Sequence, residues 1–96
     1  VAHARGVPLH VDAAWGPHLG FHPALPPSPL VAGADLMVTS PHKLLGALSQ
    51  AAVLHVRGPR IDAGRVATAV AMGRTTSPLM PILASLDACR RHMALE

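Results

Sequence analysis

Two short apolar runs, each closed by a polar residue, constrain the fold of this chain most strongly. The first covers residues 9–12 and ends at Asp12, and the second covers residues 35–40 and ends at Ser40. The connection between them, residues 13–34, has the length that a crossover between parallel strands requires. Such a crossover is right-handed and places helices on the faces of the sheet. The sequence therefore predicts an α/β fold with a mostly parallel sheet flanked by helices.

The remaining elements follow from periodicity and from Gly and Pro positions. A third strand is predicted at residues 51–56, a loop at 41–49, and the end of a helix at 1–6, closed by Gly6. Asp62 is a good N-cap for a helix over residues 63–72. A last helix is predicted over residues 80–95, with one apolar face formed by Ile82, Leu86, Cys89 and Met93.

Composition limits the size and the partners of this fold. Half of the 96 residues are hydrophobic and 14% are charged, which is typical of a folded chain of one domain or part of one. The net charge is +3, but the arginines are scattered and lack aromatic neighbours, so we expect no nucleic-acid partner. No apolar run has the length of a membrane span. The single cysteine, Cys89, indicates a reducing compartment, and we expect a cytoplasmic protein.

Four residues with chemically useful side chains fall at one predicted edge of the sheet. In open α/β sheets, ligands bind outside the carboxyl ends of the strands. Asp12 closes the first strand, and Ser40, His42 and Lys43 follow the second. Lys43 is also the only lysine in the chain. We therefore expect these four residues to share one pocket.

A lysine, a carboxylate and small hydroxyl groups at such an edge suit pyridoxal phosphate. The lysine amine forms a Schiff base with the cofactor aldehyde, and a carboxylate pairs with the pyridine nitrogen so that the ring withdraws electrons. Hydroxyl, imidazole and backbone N–H groups hold the phosphate. A desolvating pocket or a nearby cation makes a lysine amine more nucleophilic. Lys43 and Asp12 are the candidates for the first two roles.

Plainer readings of the same residues remain open at this point. Asp12 could simply cap a turn, and Lys43 could be a surface lysine after a strand. A metal-dependent hydrolase could use His10, Asp12, His18 and His22. Against a metal, Gly20 and Pro23 disfavour a helix that would present both later imidazoles on one face, and no second carboxylate is evident beside them. We therefore predict no metal site.

A succession of short motifs along the chain resembles one known family. The motifs are PLHVDAAWGPH (8–18), GFHP (20–23), AGADLMVTSPHK (32–43), GALSQA (46–51), LHV (54–56), TTSP (75–78) and ASLD (84–87). In this order they resemble the major domain of the Orn/Lys/Arg decarboxylases. These are fold-type-I, aspartate aminotransferase-like enzymes that depend on pyridoxal phosphate. The resemblance covers most of the chain.

The resemblance implies a role for each matching residue. Lys43 would bind the cofactor as a Schiff base, and Asp12 would pair with its pyridinium nitrogen. Ala14 would pack against the face of the ring. Ser40 and His42 would contact the phosphate. In addition, residues 76 and 77 would approach the cofactor of a neighbouring subunit.

The implied activity is decarboxylation of a basic amino acid of the ornithine, lysine or arginine type, as in polyamine metabolism. The alternatives are an aminotransferase-like enzyme of the same fold or an inactive remnant. We expect a homodimer or higher homo-oligomer with an amino acid substrate and no membrane partner. Residues 1–96 would form part of the major domain, without its upstream part and the C-terminal small domain, and would be inactive alone.

Two positions depart from the family pattern. Members often have Asp-Glu-Ala-His where this chain has Asp12-Ala13-Ala14-Trp15, and many have Thr where this chain has Leu44. The cofactor-binding residues themselves are unaffected by either change. These departures leave the identity of the substrate open.

Overall fold

The computed structural model describes residues 1–95. A single 3-10 turn, His3–Arg5, precedes the strands. The strands are β1 (His10–Asp12), β2 (Leu36–Thr39) and β3 (Val53–Val56). The helices are α1 (Pro41–Leu44), α2 (Ala63–Gly73) and α3 (Met80–Leu95). Together these elements form a mixed α/β fold, the class that the sequence predicts.

The first two strands form the parallel pair expected from the connection between them. Their register pairs His10 with Leu36 and Asp12 with Val38. Within the described residues the sheet has the order β1-β2-β3, so β2 is the central strand. The carboxyl ends of β1 and β2 therefore meet at one edge, and this edge positions the candidate site.

The third strand runs in the opposite direction, so the expectation of a mostly parallel sheet holds for β1 and β2 and fails for β3. Val53 pairs with Thr39, and Val56 pairs with Leu36. The connection between β2 and β3 contains only the short helix α1, which rises about 6 Å over four residues. The rest of this connection, residues 45–52, bends at Gly46 (φ 79°) and Gln50 (φ 71°) and brings Val53 directly beside Thr39. The chain therefore turns at the carboxyl edge and pairs antiparallel.

Helix α1 lies where the sequence predicts a loop at residues 41–49, and that prediction is wrong for its first four residues. Pro41 occupies the first turn, where its fixed φ suits a helix and its missing N–H costs no hydrogen bond. Leu45 N then donates to Pro41 O over 2.8 Å and closes the turn. The helix matters for the site because it includes Lys43.

The two longer helices agree with the sequence. Asp62 caps α2 by accepting hydrogen bonds from Gly64 N (2.8 Å) and Arg65 N (3.1 Å). In α3 the predicted apolar face is half-buried, whereas most of the other positions are exposed. Helix α3 is attached to the loop after α1, since Leu48 N donates to Ser85 Oγ over 3.0 Å and Cys89 Sγ donates to Leu45 O over 3.0 Å.

A buried carboxylate joins the opposite, amino end of the sheet to the start of the chain. Asp35 Oδ2 accepts from Leu9 N at 2.8 Å and lies 2.6 Å from His3 Nε2, while Oδ1 lies 3.4 Å from Arg60 Nη1. Gly6 follows the N-terminal turn with a φ of 69°, as expected for a residue that ends a helical turn. Asp35 thus ties three segments of the chain together.

Apart from Met37, the buried hydrophobic side chains are small. The buried apolar residues are Ala34, Met37, Ala47 and Ala51. A core of this size agrees with the scarcity of aromatic residues. Among residues 1–95, no helix has both the length and the hydropathy needed to cross a membrane.

Candidate functional site

The carboxyl edge of the sheet places Asp12 and Ala14 beside the residue that follows β2. Beyond β1 the strand pairing continues, because Ala13 N donates to Val38 O over 2.9 Å and Ser40 N donates to Ala14 O over 3.3 Å. These two bonds fix the segment after β1 against the segment after β2. Residues far apart in sequence are therefore held in register at this edge.

Helix α1 turns Lys43 toward the same edge. Lys43 N donates to Ser40 O over 2.9 Å, which fixes the first turn after β2. The Lys43 ammonium, Nζ, lies 5.6 Å from the centroid of the Trp15 ring. This distance lies within the range of a cation–π contact. Trp15 is 66% exposed, so the contact lies at the surface of the edge.

An open cleft of about 690 Å³ lies between these segments. It is lined by Val11, Asp12, Ala13, Ala14, Trp15, Gly16, Leu19, Pro29 and Lys43. The structure therefore brings together Asp12, Ala14 and Lys43, three of the five predicted cofactor-binding residues. The other lining side chains are apolar, apart from the glycine.

Asp12 both caps a turn and lines the cleft. Its Oδ1 accepts from Ala14 N over 3.0 Å, which confirms the plainer reading of this residue as a turn cap. The carboxylate has a second oxygen that can accept from a cationic N–H in the cleft. The two readings are therefore compatible, and the turn itself orients the carboxylate.

Ser40 and His42 do not line this cleft. His42 Nδ1 lies 2.7 Å from Ala51 O, and since a carbonyl oxygen only accepts, Nδ1 is the nitrogen that donates. In neutral His42 the other nitrogen, Nε2, is then an acceptor, and only the imidazolium form can also donate to a phosphate oxygen. The phosphate roles of Ser40 and His42 stay predictions.

The histidines of the segment after β1 form no metal centre. Among residues 1–95, no three His, Cys, Asp or Glu side chains come close enough together to hold a metal ion. His22 Nδ1 instead accepts from Ala24 N over 3.1 Å, inside its own turn. His18 Nδ1 is buried without a hydrogen-bond partner. The described residues thus give the hydrolase reading no ligand set.

A second cavity, of about 420 Å³, lies between the sheet and α3. His55 and Thr39 contribute to its wall, and His55 Nε2 lies 3.2 Å from Thr39 Oγ1. Burial lowers the pKa of His55 below its ordinary value, because the charged form loses solvation. His55 is therefore a hydrogen-bonded histidine of the sheet. Half-buried Cys89 also lines this cavity.

The segment expected to approach a neighbouring subunit forms an exposed turn between α2 and α3. Ser77 N donates to Thr75 Oγ1 over 3.1 Å and stabilises this turn. Thr76 and Ser77 are exposed. Their role toward another subunit stays a prediction.

Sequence reasoning missed two arrangements. It did not predict that the ring of Trp15 lies against Lys43 in the same cleft. It also gave no role to Asp35, whose partners lie 25 to 32 residues away along the chain. For the contact between Lys43 and Trp15, the only signal in the sequence was a Trp three residues after the Asp that ends the strand. No local pattern in the sequence indicates the partners of Asp35.

Comparison with known proteins decides the family. The sequence model described as Orn/Lys/Arg decarboxylase, major domain, matches residues 1–96, the whole of this chain. The chain belongs to this family. The resemblance read from the sequence motifs is therefore confirmed.

Several relatives in the Orn/Lys/Arg decarboxylase family are similar to this chain over most of its length. The arginine decarboxylase of Halalkalibacterium halodurans is 50% identical over 94 residues, 98% of this chain and 19% of that protein. The arginine decarboxylase of Bacillus subtilis is 44% identical over the whole chain and 20% of its own length. The constitutive lysine decarboxylase of Escherichia coli is 40% identical over 82% of this chain and 12% of its own length. The chain thus spans about a fifth or less of these relatives.

Proposed function

We propose that the full-length protein is a pyridoxal-phosphate-dependent decarboxylase of a basic amino acid. The observation that supports this most is the cleft at the carboxyl edge, where Asp12, Ala14 and Lys43 lie together. Relatives named arginine decarboxylase and lysine decarboxylase support the reaction and the class of substrate. Arginine is the first substrate to test, because four relatives that match 98% or more of the chain are named arginine decarboxylase.

The chemistry of the cleft fits the cofactor. A primary amine is available for the covalent linkage, a Schiff base, to the cofactor aldehyde, and Lys43 is the only lysine of the chain. A carboxylate, Asp12, faces the same space, and the small side chain of Ala14 leaves room for a flat ring. When bound, pyridoxal phosphate supplies an electron sink for the carbanion left by loss of CO₂.

Each residue of the cleft has a defined task in this proposal. Asp12 accepts a hydrogen bond from the protonated pyridine nitrogen and so keeps that nitrogen cationic. Its turn, closed by Ala14 N, holds the carboxylate in place. Lys43 provides the amine, which must lose its proton before its lone pair can attack a carbonyl carbon. The apolar side chains of Leu19 and Pro29 form part of the wall beside these groups.

The assembly and the phosphate contacts belong to the same proposal. Ser40 and His42 would contact the phosphate, His42 as the imidazolium, which has two N–H groups. We propose a homodimer or higher oligomer in which the turn containing Thr76 and Ser77 lies near the partner's cofactor. The cytoplasmic location expected from the single cysteine stays a prediction.

Release of CO₂ from a labelled carboxylate tests the reaction. The full-length protein with pyridoxal phosphate should release labelled CO₂ from arginine, lysine or ornithine, and Lys43→Ala should abolish the release. Arg65→Ala removes an exposed cation on α2 and serves as the control that keeps activity. Formation of a keto acid without CO₂ would instead indicate an aminotransferase, and no turnover of any of the three would contradict the proposal.

A further inference from the structure

The contact between Lys43 and Trp15 has a consequence for the reactivity of the amine. Nζ lies 5.6 Å from the ring centroid, and both side chains line the same cleft. The negative face of an indole ring attracts a cation and gives no comparable stabilisation to a neutral amine. The contact with the ring therefore holds the charged end of Lys43 at the edge of the cleft.

The ammonium form cannot react with an aldehyde. Formation of a Schiff base begins when the nitrogen lone pair attacks the carbonyl carbon, and the ammonium ion has no lone pair. Water then leaves as the C=N bond forms. A contact that holds the lysine nitrogen against a ring must therefore be broken before the nitrogen can attack, and this slows the reaction.

We propose that Trp15 is a positioning residue that holds the side chain of free Lys43 against its ring and restrains the reaction of this amine with carbonyl compounds while no cofactor is bound. The proposal rests on the assignment of Lys43 as the cofactor lysine. The tethered ammonium points into the cleft, where a bound cofactor would meet it, and is at the same time a poor nucleophile toward stray aldehydes.

Exposure of the two partners sets the size of the effect. Trp15 is 66% exposed and Lys43 is exposed, so water competes with the ring for the cation. Exposed cation–π contacts are weak, and their loss corresponds to roughly a two- to five-fold change in an equilibrium or rate. We expect an effect of that size on the reactivity of the amine.

Replacement of Trp15 by histidine provides a variant with a different ring at the same position. An imidazole ring is smaller and is itself able to carry a positive charge, which would repel the ammonium. We therefore expect Trp15→His to release Lys43 at least as fully as an aliphatic substitution does.

Reductive methylation of the cofactor-free full-length protein tests the proposal. Formaldehyde and cyanoborohydride at pH 7.5 modify free amines, and modification blocks tryptic cleavage at Lys43. No other tryptic site lies between Arg5 and Arg57, so the fraction of intact peptide 6–57 reports the rate at this one lysine. Trp15→Leu should accelerate modification about two- to five-fold.

Two further variants distinguish the effect of the aromatic ring on the rate from the effect of side-chain size. Trp15→Phe keeps an aromatic face and should react at a rate between wild type and Trp15→Leu. Phe21→Leu removes an aromatic side chain that does not line this cleft and should leave the rate unchanged. An unchanged or slower rate in Trp15→Leu, or equal acceleration in the Phe and Leu variants, would overturn the proposal.

This readout is independent of decarboxylation. If Lys43 does not bind the cofactor, the proposed function fails, while the contrast between the Trp15 variants can still be measured. If the contrast is missing but the protein decarboxylates its substrate, only the role of Trp15 fails. Circular dichroism of each variant confirms that the fold is retained.

Discussion

Asp35 Oδ2 lies 2.6 Å from His3 Nε2 and connects the N-terminal turn to the start of β2. The hydrogen bond from Leu9 N contributes most to lowering the pKa of Asp35 below its ordinary 3.8. Loss of solvation opposes this shift, and the contacts with His3 and Arg60 add to it. The network therefore stabilises the folded chain through the ionised carboxylate.

We expect the contribution of Asp35 to stability to depend on pH in the acid range. Because the folded-state pKa is depressed, the contribution is complete above pH 3.8 and disappears as the pH falls through the lower folded-state value. Asp35→Asn should lower the free energy of unfolding at pH 7 and weaken its decline below pH 4. Urea unfolding followed by circular dichroism between pH 3 and pH 7 measures both effects.

The matched control for this experiment is Asp87→Asn. Asp87 forms an exposed pair with Arg90 on α3, with 2.8 Å between Oδ1 and Nη2. Such exposed pairs contribute little to stability. Equal changes in the two variants would contradict the role given to Asp35.

The N-cap of α2 provides a second prediction. Asp62→Ala removes the acceptor of two backbone N–H groups and should lower the free energy of unfolding by about 1 kcal/mol. Asp62→Ser retains a capping oxygen and should cost much less. Thermal unfolding of the two variants distinguishes them, and equal losses would show that the cap is not responsible.

The role of Asp12 gives a prediction for catalysis. Asp12→Asn keeps an oxygen that accepts from Ala14 N and removes the negative charge from the cleft. If the charge stabilises the protonated ring nitrogen, kcat for decarboxylation should fall by about 100-fold or more, a loss comparable to that of other preorganised electrostatic groups.

Cofactor affinity should change much less in the same variant, because the lysine linkage and the turn remain. Steady-state kinetics and equilibrium dialysis with pyridoxal phosphate measure the two quantities. A kcat equal to that of wild type would remove Asp12 from the mechanism.

Local patterns in the sequence predicted the elements well. Strand and helix bounds differ from the predictions by two residues or fewer, because Gly, Pro and the N-cap Asp62 mark the ends. The parallel pairing of β1 and β2 was also predictable, since the connection between them is too long for a hairpin. The ends of the elements depend on residues close together in sequence, and the pairing depends on the length of one connection.

Features that depend on tertiary contacts were not predictable. The alternation of residues in β3 is the same for either strand direction, so its antiparallel pairing depends on the path of the connection through residues 40–52. The four-residue helix itself is too short for a periodic signal. The partners of Asp35 and the stacking of Lys43 on Trp15 each join separate segments, and only the folded chain shows them.

The candidate site was predictable only in part, because the sequence indicates the path of the backbone but not the direction of each side chain. The rule that ligands bind at the carboxyl edge placed Asp12 and Lys43 together, and the structure places them in one cleft. That rule concerns the backbone and leaves the direction of each side chain open. His42 accordingly points to Ala51 O instead of the cleft.

The visible absorption spectrum of the full-length protein with pyridoxal phosphate tests the central claim most directly. The account predicts the band of lysine-bound cofactor in the wild-type protein and its loss in Lys43→Ala. Lys43→Arg keeps a cation at this position and cannot form the linkage, so it should also lack the band. A band of equal strength in either variant would contradict the assignment of Lys43 as the cofactor lysine.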